Sequence, residues 1–373
     1  MTLPALFSPL TIRGVTLKNR LAISPMCQYS AVDGVVQDWH FVHLGRFALG
    51  GAALVFVEAT GVTPEGRISH GDVGLWNDAQ EAALARVAAF LKAQGSVPGI
   101  QIAHAGRKAS SHRPFEGVGP VTPDTQIGDE APWRTVAPSA IPFAEGWPTP
   151  RELTLAEIAE VRLAFAASAR RALRAGFDVV EVHAAHGYLL SEFLSPISNH
   201  RTDAYGGDFE GRIRLLLEIV EDVRAIWPDD KPLFVRLSAV DGTAGGWSLD
   251  DSVALAQRLK ALGVDVIDSS SAGLTPSLET INKPGPGYQV PYAEAIRATG
   301  IATQAVGLIV TPELAESVIA EGKADLVALG RPALFDPNWP LHARRALDPE
   351  ADPAEGWPIQ AGYAVARMRA VVK

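Results

Sequence analysis

Apolar runs, several of them rich in Val and Ile, recur along the chain at residues 20–25, 53–59, 98–103, 179–183, 233–238, 266–269, 302–306 and 326–329. They are nearly continuous rather than alternating, the pattern of strands buried on both faces. Between them, apolar positions recur at helical spacing over residues 42–50, 78–94, 155–175, 208–226, 249–262, 292–298, 311–321 and 338–345. Thr154 with Glu157 predicts a capping box at the start of the third helix, and Ser248 before Asp250 and Asp251 caps another. Gly176 and Gly263 stand where helices should stop. Eight strands alternating with eight helices predict an α/β fold, a (β/α)8 TIM barrel, as one domain over residues 1–373. An open doubly wound sheet is the alternative, but no G-x-G-x-x-G follows the first strand.

Two segments fall outside the alternation. Residues 10–12 and 15–17 flank Arg13-Gly14 and read as an N-terminal hairpin plugging the barrel bottom. Residues 105–150, heavy in Pro and Gly, form a long insertion after strand three. Leaving from the catalytic end of a strand, it is expected to be a lid.

Composition narrows the partners. The chain is 47% hydrophobic with a net charge of −9 and no basic run, which argues against nucleic acid and anionic membrane. Cys27 is the only cysteine, which excludes an internal disulfide, iron–sulfur clusters and multi-cysteine zinc sites within the chain. No signal-peptide pattern is evident in residues 1–7, and no apolar run approaches the ~18 residues of a membrane span. A cytoplasmic protein is expected.

Barrel chemistry sits at the C-terminal ends of the strands. Strand one delivers Ser24-Pro25-Met26-Cys27-Gln28-Tyr29, and strand two Glu58-Ala59-Thr60. Strand three brings Gln101 and then 104–108, strand four 183–188, and strand five Arg236. Strands seven and eight end at Gly307 and at Gly330-Arg331, glycines that let backbone approach an anion beside a guanidinium, which suits a phosphate. In His183-x-x-His186-x-Tyr188, two imidazoles can polarise a carbonyl oxygen and a phenol can supply a proton. A metal site is the competing reading, although no third ligand is obvious and Glu181 is expected to point differently from the pair. Gln101 and Arg236 suit the polar edge of a flavin.

The motifs Ser24-Pro-Met-Cys-Gln-Tyr29, 99–108, His183-Ala-Ala-His-Gly-Tyr-Leu189 and 193–207 together resemble the Old Yellow Enzyme family. Cys27 after Pro-Met and the short chain resemble its thermophilic-like, or xenobiotic reductase, subgroup. The resemblance implies bound FMN, with NADPH or NADH as co-substrate. It places Ser24, Pro25, Met26, Cys27, Ala59, Gln101 and Arg236 around the flavin, and Gly307, Gly330 and Arg331 at the phosphate. His183 and His186 would bind the substrate oxygen, Tyr29 would position the ligand, and Tyr188 would protonate it. The implied reaction is ping-pong: NAD(P)H passes hydride to flavin N5, which delivers it to the β-carbon of an α,β-unsaturated carbonyl or nitro compound. The partners implied are a small enone-type substrate and further copies of the chain, as a homodimer or homotetramer.

Some positions depart from the family pattern. Gly211 stands where Asn is usual, Asp208 replaces a common Ser, and Val306 stands where some xenobiotic reductases have a tryptophan. Ala361 stands where an aromatic is common, which leaves Tyr363 or Arg367 to reach a neighbouring site. The rivals are a dienoyl-CoA reductase of the larger iron–sulfur branch, a non-catalytic flavoprotein sensor and a metal-dependent hydrolase.

Overall fold

The computed structural model describes residues 3–276 and 284–367. Eight parallel strands close into a barrel: β1 (Leu21–Ile23), β2 (Leu54–Gly61), β3 (Val97–Ala103), β4 (Val179–Ala184), β5 (Leu233–Ser238), β6 (Val266–Ser270), β7 (Ala302–Ala305) and β8 (Leu326–Leu329). Each pairs with its sequence neighbours, and β8 pairs back onto β1. The helices that follow are α1 (Asp38–Leu49), α2 (Asp78–Ala93), α3 (Leu155–Arg174), α4 (Phe209–Arg224), α5 (Leu249–Ala261), α6 (Val290–Arg297), α7 (Pro312–Ala320) and α8 (Trp339–Leu347). Both capping devices form: Thr154 with Glu157 and Ser248 with Asp251 each exchange side-chain and backbone hydrogen bonds. Gly176 and Gly263 adopt φ of 90° and 85° just past their helices, where a side chain would be strained.

The period of two along each strand sorts the residues into two layers. Val55, Val57, Ile100, Ile102, Val180, Val182, Val235 and Leu237 face the helices and join their apolar stripes in one large core. At ~1.5–3 kcal/mol per fully buried side chain, that layer is the main source of stability. Leu54, Phe56, Val179, Phe234, Val266 and Leu326 alternate with them and fill the barrel interior. Leu10–Ile12 and Val15–Leu17 pair as an antiparallel hairpin whose Leu17, Leu10, Ile12 and Val15 join that interior cluster.

Three short helices escape the periodicity: Leu189–Leu194 after β4, Arg331–Phe335 after β8, and Ile359–Val365. None is long enough for an apolar stripe to repeat. Asp208 caps α4 through the Gly211 amide at 2.9 Å. A Cβ on Gly211 would fall 2.0 Å from the Gly206 carbonyl oxygen, so the two departures at 208 and 211 concern how the loop closes on the helix.

The 105–150 segment is tied down at several points. The Trp133 indole donates to the Glu65 carbonyl at 3.0 Å, and the Arg67 guanidinium lies against both Trp76 and Trp133. Arg113 pairs with the Glu130 carboxylate and also donates to the Tyr29 carbonyl at 3.2 Å. The segment is thereby coupled to the turn after β1, where Tyr29 holds a left-handed φ of 52°.

Candidate active site

The end of β4 turns sharply. His186 takes φ 60° and Gly187 φ 70°, and a Cβ on Gly187 would fall 2.2 Å from the Gly273 carbonyl oxygen. The turn brings the three predicted side chains together. The His183 and His186 rings stand 5.1 Å apart, and His183 and Tyr188 5.2 Å apart, both pairs edge to face. Lys108 braces it: its ammonium donates to the carbonyls of His186 at 2.8 Å and Gly273 at 3.0 Å, and lies 4.8 Å over the Tyr188 ring. On its other side it faces the ring of Phe143, from the long insertion, at 4.9 Å. Burial brings this ammonium down to about 8.

Both imidazoles are held neutral. Burial depresses them well below the ordinary histidine range, and the positive charges of Arg236 and Lys108 add to it. Their partners fix which nitrogen is left free. The Ala185 N–H donates to His183 Nδ1 at 3.3 Å, so the His183 proton sits on Nε2. Ser270 Oγ lies 2.7 Å from His186 Nε2 and accepts from Gln289 Nε2 at 3.3 Å; a hydroxyl can donate to that ring nitrogen or accept from it, and either way His186 Nδ1 has no protein partner. Each ring thus keeps one nitrogen free of protein partners, and on His183 it carries the proton. Tyr188 is half-buried; its partial burial, then Cys27 and Tyr29, push its phenol well above its usual range, so it stays protonated.

His186, Arg236, Gly307, Gly330 and Arg331 line one cavity of about 200 Å3, with Val306 in its wall. At Gly330 a Cβ would project into open space, its nearest neighbour being Met26 Sδ at 3.8 Å. The Cys27 sulfur neighbours the Ala59 backbone and the Tyr29 hydroxyl. Burial, with Asp72 and Glu58 adding, pushes the Cys27 thiol well above its usual range. We expect iodoacetamide near neutral pH to label Cys27 at least about tenfold more slowly than a free cysteine; labelling at the free-thiol rate would show a thiolate instead. Glu58, itself pushed up to about 8 by burial, accepts the Gln28 N–H at 2.9 Å and props the same turn.

Two placements differ from sequence reasoning. Glu181 does not point away from His183: two residues earlier on β4, it shares the inward face one layer deeper and accepts from Gln101 Nε2 at 2.8 Å. Gln101 therefore turns partly into the barrel. Pro25 lies between Ser24 and Met26 at the end of β1. Tyr363 is largely exposed, carries Arg367 over its ring at 5.8 Å, and lies outside the cavity of its own chain. Sequence reasoning passed over Lys108, Ser270, Gln289 and Asp268; of these, only Lys108 had a signal, standing in the segment that strand three delivers. Among the described residues, no cluster of three or more His, Cys, Asp or Glu side chains could hold a metal ion. Nor is any described helix long and apolar enough to cross a membrane.

The donor set fits FMN. Ser24 Oγ is buried without a hydrogen-bond partner, as a group awaiting an acceptor is, and Arg236 lines the cavity. The open glycine at 330 beside Arg331 suits a phosphate. Ser24, Met26, Cys27, Ala59, Gln101 and Arg236 are the residues that would hold the ring system.

Comparison with known proteins agrees. The profile of the NADH:flavin oxidoreductase / NADH oxidase family matches residues 5–350. An NADPH dehydrogenase of Geobacillus thermodenitrificans is 48% identical over 345 residues, covering 92% of this chain and 94% of that protein. Among solved structures, morphinone reductase superposes with a TM-score of 0.76 at 28% identity, over 92% of this chain and 90% of its own. The Old Yellow Enzyme homologue of Zymomonas mobilis gives 0.74 at 27% identity, over 96% and 98%. The chain belongs to the NADH:flavin oxidoreductase / NADH oxidase family and is an FMN-dependent, NAD(P)H-oxidising enzyme of the Old Yellow Enzyme kind.

Proposed function

We propose that this enzyme reduces activated C=C bonds of α,β-unsaturated carbonyl compounds, and of nitro analogues, at the expense of NADPH or NADH in a ping-pong cycle. The observation that carries the reading is the trio at the end of β4: two neutral imidazoles, each with one ring nitrogen free of protein partners, 5.1 Å apart, with a protonated phenol 5.2 Å from one of them. FMN, when bound, supplies the two-electron carrier that takes hydride from the nicotinamide and returns it to the alkene. His183 Nε2 and His186 Nδ1 donate to the substrate's carbonyl or nitro oxygen and stabilise the negative charge that develops there. Tyr188 holds the proton destined for the α-carbon. Tyr29 positions the ligand, and Ser24, Pro25, Met26, Cys27, Ala59, Gln101, Arg236, Gly307, Gly330 and Arg331 hold the cofactor. The chain is read as one domain with the 105–150 insertion as its lid, working in the cytoplasm as a homodimer or homotetramer. Tyr363 or Arg367 is the candidate to reach the neighbour's site.

An anaerobic visible spectrum tests the reading. Addition of NADPH should bleach the flavin band and 2-cyclohexenone should restore it. A protein that bleaches but is not reoxidised by enones or nitroalkenes would overturn the substrate assignment.

A further inference from the structure

Above its apolar floor the barrel carries an unusual layer. Glu181 on β4, Asp268 on β6 and Gln304 on β7 have no solvent exposure, and Gln101 on β3 and Arg236 on β5 almost none. Strand register makes them neighbours: Gln101 lies opposite Glu181, and Asp268 opposite both Arg236 and Gln304. Glu181 Oε1 accepts from Gln101, and Asp268 Oδ2 stands 3.4 Å from Arg236 Nε. Glu181 Oε2, both Asp268 oxygens and both polar atoms of the Gln304 amide have no hydrogen-bond partner.

Such a layer is poor at stabilising a fold, since a buried ion pair seldom repays its desolvation and a buried unpaired carboxylate costs far more. Two carboxyl groups here face one guanidinium, so electroneutrality in a dry interior leaves room for one negative charge between them. Burial pushes both carboxyls up, and Asp268 repels Glu181 further. Neither lines the ligand cavity, whereas Arg236 does. Glu181 also orients Gln101, whose amide N–H it accepts at 2.8 Å.

We propose that Glu181 and Asp268 act together as a single counter-ion to Arg236: a carboxyl pair that shares one proton, positions Gln101 and Arg236, and sets how strongly reduced FMN is bound relative to oxidised FMN. The inference rests on the reading that Arg236 faces the flavin. The pair tempers the guanidinium, whose full charge would over-stabilise the reduced, anionic cofactor. Because the two groups titrate as one, loss of either leaves the other to ionise and keep the charge balance.

The test is the two-electron midpoint potential of D268N, E181Q and the double variant, each loaded with FMN. Each single variant should stay within about threefold of wild type in its ratio of oxidised to reduced FMN dissociation constants. The double variant should favour reduced FMN by about tenfold or more, about 30 mV positive. Additive shifts in the singles, or an unchanged double variant, would overturn the shared counter-ion. Arg236→Met keeps the two readings apart. If it leaves the potential unmoved, the placement of Arg236 fails; if it lowers the potential while the double variant does nothing, only the counter-ion fails. Should the double variant not fold, infrared difference spectra of wild type against each single variant decide. Loss of one protonated-carboxyl band in each supports the pair, and its retention in both refutes it.

Discussion

Tyr188→Phe slows alkene reduction by about a hundredfold or more, the range of a lost general acid, while flavin reduction by NADPH stays within about twofold of wild type. The substitution removes one oxygen and leaves the ring, so the edge contact with His183 and the ammonium of Lys108 over the ring face both persist. The change therefore reads the hydroxyl and not the packing. Burial raises the phenol's pKa, so the protonated form is present below that raised value and only strongly alkaline pH would remove it. No alkaline loss of rate should accordingly trace to Tyr188 over the range in which the protein is handled. Stopped-flow measurement of each half-reaction checks the claim. An equal fall in both would mean that Tyr188 shapes the site rather than supplies the proton.

The barrel was legible because its two layers leave different marks in the sequence. Runs such as residues 54–57, Leu-Val-Phe-Val, are buried on both faces, one toward the helices and one toward the interior, and so read as unbroken apolar segments. The helices announced themselves through Thr154, Ser248, Gly176 and Gly263, whose capping and turn chemistry is local. That His183, His186 and Tyr188 lie together was legible for a similar reason: strand ends deliver their residues to one face, and the three follow one another within a single turn. What could not be read is what depends on other strands. Whether Glu181 faces the site is a matter of period two, which sequence gives, but its partner Gln101 comes from β3 and its competitor Asp268 from β6. Ser270 and Gln289 carry no motif, yet Ser270, held by Gln289, occupies His186 Nε2 and leaves its Nδ1 as the nitrogen free of protein partners. Lys108 stood in a quoted motif, but only the fold shows its ammonium clipping the His186 turn to Gly273.

His183→Ala should weaken binding of a phenol or enone ligand by about tenfold to a hundredfold, the worth of a hydrogen bond to a group that carries or develops charge. Alkene reduction should fall further than affinity, by about 10²–10³, because the same donor is worth more to the enolate-like charge of the transition state than to the resting carbonyl. The tautomer argument makes the expectation specific. His183 offers Nε2–H because its Nδ1 is already occupied by the Ala185 amide, so a replacement must present a donor at the Nε2 position. Asparagine is too short to place its amide there and should restore little; glutamine, one carbon longer, should restore more. Depression of the imidazole pKa keeps the ring neutral, so the clamp should not change strength across neutral pH through His183 ionisation. FMN content serves as a control, since His183 is not among the residues lining the cavity around Gly307, Gly330 and Arg331. Ligand titration of the flavin spectrum gives the affinity. If His183→Ala bound the phenol as tightly as wild type, the carbonyl clamp would have to be assigned to His186 alone, through the Nδ1 that its contact with Ser270 leaves free.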